Sequence, residues 1–360
     1  MSKQKVSRKL LSLLVLVPAL IATMFIGVSS DSALVAHAAV SPVDPNADSK
    51  VVKILNYYYS LKGKTSNKVL SGQYDKYGDS TDYYNEIYKT TGKYPAIFES
   101  NLWHQSDSTY TTWGDVSEKR QRIIDRWNAG SLIHLHMPIP NPKTRGDRTD
   151  PMTATDFAKV AVTGNTINSS FNEWLDIFAD NMKILESNGV VVVIRPLHEC
   201  NGGWFWYGDK DPTEYKKVYR YLVDYLINKK GVHNLLFAYT PSAHPEPASS
   251  VMDYYPGDSW VDIVGVDVYK ETPIDSDTVK RCDLLKGTGK PFGFGEIGWL
   301  ENTGNFSQNS KAEIIDAIES KIPYTVFWSS WQVQHCPAKQ NNCTGLYGDS
   351  WVVTRNEVSW

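Results

Sequence analysis

The chain has 360 residues, of which 41% are apolar and 12% aromatic, and its formal net charge is −3 at pH 7. A mildly acidic balance with no basic runs excludes a nucleic-acid-binding surface. The four cysteines lack CxxC spacing and no HExxH helix is present, which leaves a zinc site without support.

The chain opens with a targeting segment. Lys3, Lys5, Arg8 and Lys9 are followed by an apolar run from Leu10 to Val28 and by the small-x-small triplet Ala36-His37-Ala38. This is the pattern of a secretory signal peptide over residues 1–38, with a membrane anchor as the rival. Its removal takes away four basic residues and Asp31 and moves the formal charge from −3 to −6. A secreted, extracellular protein is expected, with no membrane contact after cleavage. Residues 39–50 carry Pro42 and Pro45 among polar residues and read as an exposed lead-in.

Strand-like and helix-like segments then alternate to the C-terminus. Eight runs read as strands: Val69–Tyr74, Tyr94–Asn101, Ser131–Pro138, Val190–Glu199, Asn234–Pro241, Val261–Tyr269, Pro291–Gly298 and Tyr324–Trp331. Several are apolar on consecutive residues, as strands buried on both faces require. Between them lie capped helices. Ser170 and Glu173 have capping-box spacing ahead of Phe171, Trp174, Leu175, Phe178 and Leu185, with Gly189 as the stop. Asp211-Pro212-Thr213-Glu214 gives an N-cap, a first-turn Pro and an acidic third position. Ser117–Trp127 and Ser310–Ile322 are weaker helices. Eight such units fit an α/β fold, a single (β/α)8 TIM barrel over residues 51–360. The rival, a doubly wound open sheet, lacks its GxGxxG fingerprint after the first strand.

Barrel active sites gather at the C-terminal ends of the strands. The candidates there are Glu99, Trp103, His104, His134, His136, His198, Glu199, Asp267, Tyr269, Glu296, Trp328 and Trp331. Two carboxylates stand out. Glu199 lies in Arg195-Pro196-Leu197-His198-Glu199-Cys200-Asn201-Gly202-Gly203-Trp204-Phe205-Trp206, and Glu296 in Phe292-Gly293-Phe294-Gly295-Glu296-Ile297-Gly298-Trp299. In a closed barrel, strands four and seven end across the mouth from each other. A pair of carboxyl groups among aromatic rings is the chemistry of glycoside hydrolysis. The aromatic run Trp204 to Tyr207 would keep Glu199 protonated by disfavouring its charged form. Glu296 would need donors to stay ionised, and Tyr269 is one. Asp267 shares its parity with Tyr269 and has the simpler reading of holding a neighbouring side chain. Tryptophans at strand ends suit stacking on sugar rings, although core packing is as common a role for any single one. A lone His is usually a satisfied core residue, but His136 and His198 both sit beside the carboxylates.

The stretch at 195–206 resembles the acid/base signature of glycoside hydrolase family 26, and Gly293–Gly298 resembles its nucleophile strand. Tyr255-Pro256-Gly257 and Val261–Tyr269 also match, so the similarity runs from about residue 69 to the C-terminus. The resemblance implies a (β/α)8 barrel and a retaining double displacement, with Glu199 as acid/base and Glu296 as nucleophile. It implies that His136, His198, Trp204, Tyr269, Trp328 and Trp103 bind substrate. Many members are secreted β-mannanases of Bacillus and relatives, so it also implies a β-mannan polysaccharide as the partner and no metal or organic cofactor. Cys200 stands where the family usually has Met, and Tyr207 where a Trp is common. The family also contains mixed-linkage β-glucanases and β-1,3-xylanases, which are alternatives here. A catalytically silent polysaccharide-binding barrel is a third reading, opposed by the presence of both carboxylates. A monomer is expected. Cys336 and Cys343 flank a short polar loop and are expected to form a disulfide, while Cys200 and Cys282 are left unassigned.

Overall fold

The computed structural model describes residues 40–75, 81–102, 116–300 and 307–360. The leader at 1–38, and Trp103 and His104, lie outside the described residues. Ten strands form one parallel sheet: β1 Val69–Leu70, β2 Gly72–Tyr74, β3 Ile97–Ser100, β4 Leu132–Met137, β5 Val192–Pro196, β6 Leu235–Tyr239, β7 Ile263–Tyr269, β8 Phe292–Gly298, β9 Thr325–Ser330 and β10 Val352–Val353. Strands β2 to β9 pair in order, and β9 closes on both β8 and β2, giving an eight-stranded barrel. All eight expected strands are present. The first is broken at Ser71 into β1 and β2, and β10 is an added short strand beside β1.

Two apolar layers hold the barrel. The outer one lies between strands and helices and includes Phe171, Trp174, Val192, Ile194, Tyr219, Val264 and Phe294. The inner one collects Leu70, Leu132, Val193, Leu236, Ile263 and Phe327. The helix Ser49–Leu61 packs on this inner layer through Val51, Ile54, Leu55 and Tyr58. It plugs the N-terminal end of the barrel, where the Tyr58 hydroxyl meets His134 Nε2 at 2.6 Å. His134 is thus a structural residue at the barrel floor. The lead-in is pinned rather than free. Val43 N–H donates to Asp262 at 2.7 Å, and Asp44 holds His233 Nδ1 at 2.7 Å.

Local chemistry explains most helix boundaries. Asp211 accepts from the backbone N–H of Thr213 and Glu214 and starts the helix Pro212–Asp224. The expected Ser170 capping box does not form. The helix begins a turn earlier, at Thr166–Ser187, because Asn165 accepts from the N–H groups of Ile167 and Asn168. Ser170 and Glu173 instead both receive Arg145.

The four cysteines are free, buried thiols, so the expected Cys336–Cys343 disulfide is absent. The Cys336 thiol faces the Tyr83 carbonyl at 4.0 Å, and burial pushes both thiols up to about 12, which keeps them protonated. Cys200 lies against the Tyr239 hydroxyl at 3.8 Å.

Candidate active site

Strand β5 stops at Pro196 because Leu197 and Glu199 both take left-handed backbone angles, with φ of 50° and 54°. Such angles are costly for residues with a side chain and persist only when neighbours enforce them. Here they are enforced. Glu199 N–H donates to the Thr240 carbonyl at 2.8 Å, and Gly202 N–H donates back to the Glu199 carbonyl at 2.9 Å. Asn201 ties the loop to the next strand end by accepting from Ser242 N–H at 2.8 Å and donating to Ser242 O at 2.9 Å. The Glu199 carboxyl is thereby turned into the barrel mouth.

A cavity of about 510 Å³ opens there, lined by His136, Arg148, His198, Glu199, Trp204, Phe205, His244, Tyr269, Glu296 and Trp331. Both carboxyl groups therefore face one space. Burial, and next the charge of Glu296, push Glu199 up to about 8, partly offset by the Trp204 indole N–H, which donates to Glu199 Oε2 at 2.7 Å. Glu296 sits among donors. Tyr269 O–H donates to its Oε2 at 2.6 Å, and Arg195 donates to its Oε1 at 2.6 Å. The two carboxyls thus face one cavity in different surroundings, one beside aromatic rings and the other between two donors.

Arg195 is the centre of this arrangement and was not singled out from sequence. It is buried, and its guanidinium also reaches Glu99 at 2.7 Å and Asp267 at 2.8 Å. Gly295 makes room for it. A Cβ there would strike both the Asp267 carboxylate and the Arg195 guanidinium. One cation facing three carboxyls leaves excess negative charge, and burial raises Glu99 to about 7 and Asp267 well above the ordinary range. Oxygen and nitrogen donors of His198, Asp267 and Glu296 fall within 4.8 Å of one another, a spacing open to a metal ion. Arg195 already bridges Asp267 and Glu296, so its positive charge occupies the role a cation would take.

His136 and His198 sit 5.5 Å apart by ring centroid, and burial together with Arg195 holds both well below the ordinary histidine range. They are neutral hydrogen-bonding groups on the cavity wall. His136 Nε2 is oriented by Asn101 at 3.1 Å. Tyr269 is steadied by His335, edge-on at 4.8 Å, and its backbone N–H donates to His244 at 3.2 Å. Trp328 does not reach the cavity. It is fully buried on the outer layer near Tyr347, and at this strand end it is Trp331, stacked on Tyr74 at 3.8 Å, that lines the cleft. Phe205, of the expected aromatic run, lines the cavity too, and Arg148 and His244 are further lining residues that sequence reasoning missed. His244 follows a strand end, but Arg148 lies eleven residues past β4 and gives no such signal.

The description of glycosyl hydrolase family 26 matches residues 43–357. The chain belongs to this family. Among curated relatives, a mannan endo-1,4-beta-mannosidase of Bacillus subtilis strain 168 is 31% identical over 334 residues, covering 89% of each chain. A second Bacillus subtilis mannan endo-1,4-beta-mannosidase is 30% identical and covers 91% of this chain and 92% of its own. Among solved structures, a Bacillus subtilis mannanase aligns with a TM-score of 0.80 at 28% identity, over 90% of this chain and 97% of the other. The family 26 fold is thus the barrel described above.

Proposed function

We propose that this family 26 protein is a secreted, endo-acting β-1,4-mannanase that cleaves mannan, glucomannan and galactomannan with retention of configuration. The observation that carries the reading is the contrast between the two carboxyls of one cavity. Glu199 is raised to about 8 and keeps its proton, while Glu296 is held by Tyr269 and Arg195. In the first step Glu296 attacks the anomeric carbon as Glu199 gives its proton to the departing glycosidic oxygen. In the second, Glu199 takes a proton from water, and that water displaces Glu296. His136 and His198, being neutral, offer ring nitrogens to sugar hydroxyls. Trp204 and Trp331 offer aromatic faces to sugar rings. The mannan substrate is supported by the names of the relatives, and export by the leader pattern at residues 1–38.

The test is reducing-sugar release by the mature protein on glucomannan, galactomannan, mixed-linkage β-glucan and 1,3-xylan, with the anomer of the first product followed by NMR. Release from the two mannans with a β-product supports the reading. Release only from glucan or xylan overturns the substrate, and an α-product overturns the double displacement. In Glu199→Gln and Glu296→Ala, turnover is expected to fall by roughly 10²–10⁴-fold or more while mannan binding persists.

A further inference from the structure

The loop that carries Glu199 contains two consecutive glycines, Gly202 and Gly203, and neither adopts a left-handed backbone. Backbone conformation therefore does not demand glycine at either position. Their surroundings differ. A Cβ on Gly203 would meet only Asp209 Cβ, at 3.9 Å, an ordinary contact. A Cβ on Gly202 would fall on the six-membered ring of Trp204, closer than real Cβ atoms approach anything. The Trp204 indole lies flat on the bare Gly202 backbone, and in this position its N–H reaches Glu199 Oε2 at 2.7 Å.

We propose that Gly202 is a positioning residue for the acid/base. By lacking a side chain it lets the Trp204 ring sink onto the loop, which fixes the Trp204–Glu199 hydrogen bond and the height of the aromatic wall beside the leaving group. The ring is 39% exposed, so it has somewhere to go. A methyl group at 202 would lift it toward the cleft. The indole N–H would leave Glu199, and the ring would enter space that a sugar on the leaving-group side needs. Gly202 touches no substrate in this scheme and acts only through Trp204.

The inference rests on the reading of Glu199 as the acid, and not on mannan as the substrate. The experiment compares Gly202→Ala, Gly203→Ala and Glu199→Ala on whichever polymer the wild type cleaves and on the matching 2,4-dinitrophenyl glycoside. That leaving group departs without a proton, so kcat/KM on it needs no acid. Glu199→Ala sets the reference. If it loses kcat/KM equally on both substrates, the acid assignment itself is wrong. With that reference in place, Gly202→Ala is expected to lose about 10- to 100-fold in kcat/KM on the polymer, as for an active-site group displaced by about 1 Å, and to stay within about threefold on the aryl glycoside.

The basic limb of its polymer pH profile is expected to move upward, because the indole N–H favours the carboxylate form. The other groups facing Glu199, namely Glu296, Arg195, Arg148, Asp267, Tyr207 and Tyr269, are unchanged in the variant. Gly203→Ala is expected to match the wild type. Retained aryl activity also shows that Gly202→Ala is folded. Equal loss on both substrates, an unmoved basic limb, or the same loss in Gly203→Ala would each overturn the proposal.

Discussion

The Tyr269 hydroxyl donates to Glu296 Oε2 at 2.6 Å, from the neighbouring strand of the barrel. The same carboxylate receives Arg195 on its other oxygen, so each oxygen has one donor and the group has a single orientation. Tyr269→Phe keeps the ring and its edge-on contact with His335 and removes only the hydroxyl. Glu296, the proposed nucleophile, is then held through Arg195 alone and can pivot about that contact. We expect kcat to fall about 10²-fold with KM little changed, as for a misplaced reacting group. Steady-state kinetics on glucomannan check this. A raised KM with normal kcat would make the hydroxyl a sugar contact instead.

Arg195 has a different weight, because it is buried with three carboxyls around it. Arg195→Met strands those groups without a cation, and loss of one partner from a buried ion pair costs about 3–5 kcal/mol. Urea unfolding should show that loss. Arg195→Lys keeps the charge but not the fork. One ammonium cannot hold Glu99, Asp267 and Glu296 in the same geometry. It is expected to recover much of the stability and to remain about 10²-fold or more below wild type in turnover, the scale of losing one preorganised donor. A lysine variant with normal turnover would show that charge alone suffices.

The same cation bears on metals. Since Arg195 already bridges Asp267 and Glu296 within the donor set His198, Asp267 and Glu296, chelation should leave turnover unchanged. Assay after dialysis against EDTA checks this, and activity restored only by an added divalent ion would contradict it.

How far this site could be read in the sequence depends on where each residue's partners lie. Glu199 and Glu296 were legible because each follows an apolar β-branched or glycine-rich run that can only be a buried strand. The barrel was legible because eight such runs alternate with capped helices. Val352–Val353 was too short to read as a strand. Arg195 was not legible as the hub, since its partners come from β3, β7 and β8 and no local pattern joins them. Trp328 and Trp331 are separated by parity alone. They point to opposite sides of the barrel wall, and an irregular register between β8 and β9 leaves that parity uncertain from sequence. The Ser170 capping box failed because Asn165, one turn upstream, offered the helix an earlier start.

In the proposed mechanism Glu199 can act as the acid only while it holds its proton. With Glu199 raised to about 8, kcat/KM on polymer should fall as the pH rises through about 8. On a 2,4-dinitrophenyl glycoside this limb should vanish, because the first step no longer needs the proton. A polymer limb nearer the ordinary carboxylate value of about 4.3 would mean that burial does not dominate at Glu199.

Glu99 makes an opposite and separable contribution, to stability. Burial raises it to about 7 in the folded protein, against about 4.3 in the unfolded chain. Between those values the folded state binds more protons than the unfolded one. The slope of unfolding free energy with pH is then negative. The stabilisation is complete below about 4.3 and is lost as the pH rises from there through about 7, a change of roughly 4 kcal/mol. Glu99→Gln is the informative variant. Its amide is neutral at every pH, and its carbonyl oxygen can still accept from Arg195, as Glu99 Oε1 does at 2.7 Å. The variant should match the wild type in urea unfolding at pH 4 and exceed it at pH 8. Parallel slopes for the two proteins would mean that Glu99 stays ionised in the fold and that the extra proton resides on Asp267.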